Sequence, residues 1–176
     1  VIGKLLKISA ERHDIISLGA GEPDFDTPRP LLKYGKKILG NYKQNRVTHY
    51  TAPEGIPELR EAIAKKLTRD NHIHVPPENV LVAAGSQEAL FAGFLCTPDP
   101  TEEVLIQNPG YLGYLPAIEL ASGFPRYIQL KEEENFEIDP DKIQKLITKK
   151  TRVIVLNTPA NPTGTVIRRS VLEDVA

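Results

Sequence analysis

The sequence has 176 residues, a formal net charge of -1, 40% hydrophobic and 26% charged residues, a balance that fits one ordinary globular domain. It offers no basic footprint for nucleic acid or an anionic membrane, and no apolar run near the roughly 20 residues of a membrane span. A single cysteine, Cys96, excludes an internal disulfide, in keeping with a reducing, cytoplasmic setting.

The amphipathic, charged start Val1-Ile2-Gly3-Lys4-Leu5-Leu6-Lys7 is no secretory signal. Ile2, Leu5, Leu6 and Ile8 recur at near-helical spacing, which predicts a short helix ending near Arg12. Ile15-Ile16-Ser17-Leu18 reads as a short extended piece, and Gly, Pro and Asp make residues 19–30 a loop. A helix is expected over 29–39, then a polar loop over 41–53. Residues 57–67 form a strongly amphipathic helix, with Pro57 in the first turn, where its missing N–H costs nothing.

From here strands and helices alternate. Strands are predicted at 79–83, 103–107, 126–130 and 152–156. Helices are predicted at 87–96, 112–121 and 140–147, with Asp139 as N-cap of the last, and from Arg168 onward. That alternation predicts an α/β fold whose mostly parallel sheet is flanked by helices. Ligands in such sheets sit at the carboxyl ends of the strands.

Unusual turns follow three of the strands. Gly85-Ser86-Gln87 opens a helix, and its N–H groups suit a phosphate, although an ordinary hydroxyl-capped helix start reads the same way. Asn108-Pro109-Gly110-Tyr111 places a ring beyond a strand end, to stack on a planar cofactor or to fill core. Two prolines and two asparagines make Asn157-Thr158-Pro159-Ala160-Asn161-Pro162-Thr163-Gly164 a rigid loop that can aim the Asn161 amide. The run Glu132-Glu133-Glu134 reads as solvated surface. Asp24 and Asp26 read as turn chemistry rather than metal ligands. His72-Ile73-His74 lacks a third ligand and reads as a surface strand. Cys96, in an apolar helix, reads as a buried structural thiol.

Taken in order, Gly21-Glu22-Pro23-Asp24-Phe25, Tyr50-Thr51-Ala52-Pro53-Glu54-Gly55, Gly85-Ser86-Gln87, Asn108-Pro109-Gly110-Tyr111 and Asn161-Pro162-Thr163-Gly164 resemble the N-terminal half of a class I/II aminotransferase. That family comprises fold type I enzymes dependent on pyridoxal 5'-phosphate (PLP). The resemblance implies an N-terminal arm of the small domain over 1–30 and the first part of the PLP-binding large domain over 31–176. It implies amino-group transfer between an amino acid and a 2-oxo acid in a homodimer.

By that resemblance Gly85, Ser86 and Gln87 hold the cofactor phosphate. Tyr111 stacks on the pyridine ring, and Asn161 bonds the ring hydroxyl oxygen. Tyr50 reaches the cofactor phosphate of the neighbouring subunit, and the Gly21 backbone meets the substrate carboxylate. The family's Asp at the pyridine nitrogen, Schiff-base Lys and carboxylate-binding Arg fall beyond Asn161-Pro162-Thr163-Gly164. The chain has no methionine and stops inside a young helix at Ala176, so both ends are read as cut. This span is expected to carry no catalytic residue, and no activity by itself. The same blocks are shared with PLP-dependent carbon–sulfur lyases and aminocyclopropane-carboxylate synthases. A non-catalytic module on the same fold is a further alternative. Cis peptides are expected at Asn108-Pro109 or Asn161-Pro162.

Overall fold

The structure is a computed structural model that describes residues 2–12, 14–16, 18, 19, 21 and 23–176. The chain divides into two compact units, Val1–Thr51 and Ala52–Ala176.

The first unit holds α1 (Ile2–Glu11), α2 (Arg29–Gly40) and α3 (Tyr42–Asn45). Proline stands in the first turn of α2, where a missing N–H is harmless. The helical turn α3 interrupts the polar loop that the sequence predicts over 41–53, and Arg46 closes it in a left-handed conformation at φ 52°. The extended piece expected at 15–18 is not a strand among the described residues: Ile15 sits in a bend, and Ser17 lies outside them. Val1, His13, Ala20 and Glu22 lie outside them as well, so the Gly21-Glu22-Pro23 motif is only partly described.

The second unit begins with α4 (Pro57–Asn71) and α5 (Ser86–Cys96), then alternates β1 (Glu103–Asn108), α6 (Tyr114–Leu120), β2 (Phe124–Gln129), α7 (Pro140–Leu146), β3 (Thr151–Val155) and α8 (Arg169–Val175). The three strands form one sheet in the order β2-β1-β3, and both pairings are parallel. Alternation along the central strand sorts the core into two faces. Val104 and Ile106 pack with Phe94 of α5 and Tyr114 and Ile118 of α6. Leu105 packs on the other face with Ile128, Ile143 of α7, and Ile167 and Val171. Asp139 caps α7 as its sequence predicts, its carboxylate accepting the Asp141 N–H at 3.0 Å.

The structure corrects three expectations in this unit. Residues 79–83 form no strand. Val80 is extended, but the neighbouring backbone is satisfied locally. The Val82 N–H donates to the Glu54 carbonyl at 2.9 Å, and Arg60 Nε donates to the Val80 carbonyl at 2.8 Å. An extended segment becomes a strand only when a ladder partner takes its backbone groups. Second, His72 ends α4 in a left-handed turn at φ 57°, and Ile73 and His74 continue without regular structure rather than as a surface strand. Third, Cys96 is exposed. Phe94 faces the core from α5, and a residue two positions on is rotated by about 200° around a helix.

The amino-terminal edge of the sheet is tied by two carboxylates. Glu103 Oε2 accepts hydrogen bonds from Thr148 Oγ1 at 2.6 Å, Thr151 Oγ1 at 3.0 Å and Arg126 Nη1 at 3.2 Å. The register between β1 and β3 slips between Glu103 and Val104, which leaves Arg152 outside the pairing. Arg152 Nε meets both Glu102 oxygens, at 3.1 and 3.0 Å. The Arg152 guanidinium, aided by the Asp99 N–H, holds the Glu102 carboxyl down from 4.5 to about 2. A carboxyl whose folded pKa is depressed contributes stability that is present above its unfolded value and lost as pH falls toward its folded value. Denaturant midpoints of the full-length protein are therefore expected to drop between about pH 4.5 and pH 2. Arg152→Ala should flatten that limb of the profile, and an unchanged slope would reject the assignment.

Candidate functional site

A parallel sheet with this strand order has a switch point at its central strand. The chain leaves β1 through α6 to β2 on one side, then crosses through α7 to β3 on the other. Outside the carboxyl ends of such strands the two connections diverge and leave a crevice for ligands. β1 and β2 stay paired through Asn108↔Gln129, whereas β1 and β3 part after Ile106↔Val155. The Asn108-Pro109-Gly110-Tyr111 turn and the loop over 157–164 leave the sheet on either side of that divergence.

The first turn is set by close packing. Asn108 Nδ2 donates to Gln129 Oε1 at 2.8 Å, and the Asn108-Pro109 peptide is cis. Gly110 lies so near the strand it leaves that a Cβ there would stand 2.2 Å from the Gln107 carbonyl oxygen. The Tyr111 ring is half-buried. It meets Tyr114 edge-on, with centroids 5.3 Å apart and planes at 82°, and packs against the cluster of Phe94 and Ile106. Burial, with the neighbouring Tyr111, pushes the Tyr114 hydroxyl above its ordinary pKa.

The second loop is tied internally by hydrogen bonds. The Thr158-Pro159 and Asn161-Pro162 peptides are cis; the two named from the sequence, Asn108-Pro109 and Asn161-Pro162, both adopt the expected isomer. The Ala160 N–H donates to the Thr165 carbonyl at 2.9 Å, and the Gly164 N–H to the Ala160 carbonyl at 2.7 Å. Thr158 Oγ1 accepts the Ile167 N–H at 2.9 Å. Asn161 stands exposed on this frame.

Gly85 precedes α5 at φ 98°, ψ 171°, a conformation that essentially only glycine adopts, with open space where a side chain would stand. The helix starts without a side-chain cap, so the N–H groups of its first turn, those of Ser86 and Gln87 included, have no partner within the helix. The Glu88 carboxylate is taken up by the Ala84 N–H. These donors, with the positive end of the helix dipole, fit a phosphate dianion.

Gly85, Ser86, Gln87, Tyr111 and Asn161 thus belong to one unit, and all border the carboxyl side of its sheet or its flanking helix. α5 and the Tyr111 turn share one hydrophobic cluster, and the loop of Asn161 is bonded to the end of β1 through Gln107. Tyr50 and Gly21 lie in the other unit, both exposed. The concavity between α7 and α8, lined by Asp139, Ile143, Gln144 and Val175 among others, contains none of these residues. Two features escaped the sequence reading: the carboxylate ties of Glu102 and Glu103, and buried Gln107. A polar residue closing the apolar run Val104-Leu105-Ile106 was the available signal for Gln107.

Residues 13–176 match the family model described as aminotransferase class I and II. The chain is 42% identical over 176 residues to an aspartate aminotransferase of Pyrococcus abyssi, covering 99% of this chain and 44% of that protein. It is 39% identical to the aspartate/prephenate aminotransferase of Thermus thermophilus, covering 100% of this chain and 45% of that one. Among solved structures, the Thermus thermophilus aspartate aminotransferase with maleate superposes with a TM-score of 0.90 at 38% identity, over 98% of this chain and 44% of that chain. The chain therefore spans less than half the length of these relatives. With the model match running through almost the whole chain, and the α/β fold agreeing, the chain belongs to the aminotransferase class I and II family.

Proposed function

We propose that the protein transfers an amino group between an amino acid and a 2-oxo acid, with pyridoxal 5'-phosphate as cofactor. The observation that carries this reading is that one unit holds an uncapped helix start, a half-buried aromatic ring and an asparagine loop tied by hydrogen bonds, around a parallel sheet whose strand order reverses at β1. When bound, the cofactor supplies an electron sink for the charge left on the substrate Cα once its proton is removed.

The family's pattern implies the roles of this chain's residues, and their chemistry suits those roles. Gly85 lets the backbone approach the phosphate, and the Ser86 hydroxyl and the N–H groups of Ser86 and Gln87 donate to it. The Tyr111 ring stacks on the pyridine, which fixes its plane and excludes water from one face. The Asn161 amide donates to the ring oxygen. Tyr50 reaches the cofactor phosphate of a neighbouring subunit in a homodimer, and the Gly21 backbone receives the substrate carboxylate. Residues 1–30 serve as an arm of the small domain, and residues 31–176 begin the large domain. The single cysteine, which allows no internal disulfide, supports a cytoplasmic location. No helix among the described residues is long and apolar enough to cross a membrane.

The relatives' activities make aspartate the first donor to assay. The full-length protein, titrated with pyridoxal 5'-phosphate, is expected to develop a near-visible cofactor band and to turn over aspartate only when a 2-oxo acid is supplied. No band, or more than one equivalent of product per bound cofactor without an acceptor acid, defeats the reading. Tyr111→Ala should loosen cofactor binding about fivefold, the factor for roughly 1 kcal/mol of stacking. An unchanged dissociation constant would show that the ring only fills core.

A further inference from the structure

We propose that Gln107 is a positioning residue: its side chain registers the loop over 157–164, and with it Asn161, against the turn that carries Tyr111. The inference rests on the reading of Asn161 and Tyr111 as cofactor ligands.

The other buried residues of β1 are Val104, Leu105 and Ile106, and only Gln107 among them is polar, at 5% exposure. A buried amide is costly unless it is hydrogen-bonded, and this one has a specific partner. Gln107 Oε1 accepts the Asn157 N–H at 2.7 Å. The place of that bond matters more than its existence. Backbone pairing between β1 and β3 ends at Ile106↔Val155, so beyond this pair no ladder bond holds the two chains in register. The Gln107 side chain joins the two segments just after the paired residues end, and it holds the first residue of the loop.

Thr158 Oγ1 accepts the Ile167 N–H, which ties the start of the loop to the chain that follows it. Asn161 lies within the segment so closed. On the same residue, the Gln107 carbonyl is the surface against which Gly110 closes the Tyr111 turn. Gln107 therefore touches both connections that border the crevice, one through its side chain and one through its backbone. Nothing in this arrangement requires Gln107 to touch the cofactor.

The test uses the full-length protein loaded with pyridoxal 5'-phosphate. Gln107→Met removes the acceptor at nearly constant length and volume. Gln107→Asn keeps the amide but draws it back by one methylene. Each is expected to weaken cofactor retention about tenfold, the upper scale for the net loss of one hydrogen bond. Each should also move the absorption maximum of the bound cofactor in the direction that Asn161→Ala moves it.

The double variant Gln107→Met/Asn161→Ala should be no worse than Asn161→Ala alone, because the loop position matters only through Asn161. Circular dichroism and melting temperature certify each variant as folded, and Gln107→Asn carries the test if Gln107→Met does not fold. A folded Gln107 variant with the wild-type maximum and dissociation constant overturns the proposal. So does a double variant whose losses multiply. A wild-type protein that shows no cofactor band defeats the underlying reading instead, and this proposal with it.

Discussion

Replacing Gly110 with alanine is expected to lower the unfolding free energy by about 3 kcal/mol and to release the cofactor, because the new methyl has no room. Its Cβ would stand 2.2 Å from the Gln107 carbonyl oxygen, with the carbonyl carbon 3.2 Å away. Both are backbone atoms of the central strand, so neither can swing aside as a side chain could. Moving them disturbs the ladder to β2, which continues past this point to Asn108↔Gln129. The turn must yield instead, and Tyr111 goes with it, losing its edge-on contact with Tyr114. Denaturant titration and cofactor affinity of the full-length protein read the two effects together. Wild-type values for both would mean that the turn relaxes freely, and that Tyr111 is not held by it.

Leu105→Ala should cost about 4 kcal/mol, near the upper end for a fully buried leucine. Leu105 has 0% exposure and stands on the central strand, with Ile128, Ile143, Ile167 and Val171 in the same cluster. These partners come from β2, α7 and the chain around α8, so they cannot collapse together into the vacated space without moving the elements that hold them. Leu120, 73% exposed, is the control: its change to alanine should stay within about 0.5 kcal/mol. Similar losses at both positions would show that the two-faced core described here does not govern stability.

Much of this was determined by local chemistry. The period of the apolar residues marks α4 and the strand–helix alternation from β1 to α8, because a half-buried helix and a buried strand impose different spacings on the chain. Pro57 and Asp139 mark helix starts, since each suits the orphan N–H groups of a first turn. The motifs at Tyr111 and Asn161 were visible as glycine, proline and asparagine after β1 and β3, and that at Gly85 as a glycine opening α5.

Tertiary structure decided the rest. Residues 79–83 have a strand's composition, but a strand exists only through a neighbour, and Val82 found Glu54 instead. Cys96 lies in an apolar helix, but which side of α5 meets the sheet was settled by Phe94 packing on Val104 and Ile106. The sequence marks Gln107 only as a polar residue closing an apolar run. Its meaning comes from Asn157, fifty positions along the chain, and from the point where two strands part. Periodicity reports how a residue sits relative to its own element, whereas pairing, facing and bridging depend on a second element that the local sequence does not contain.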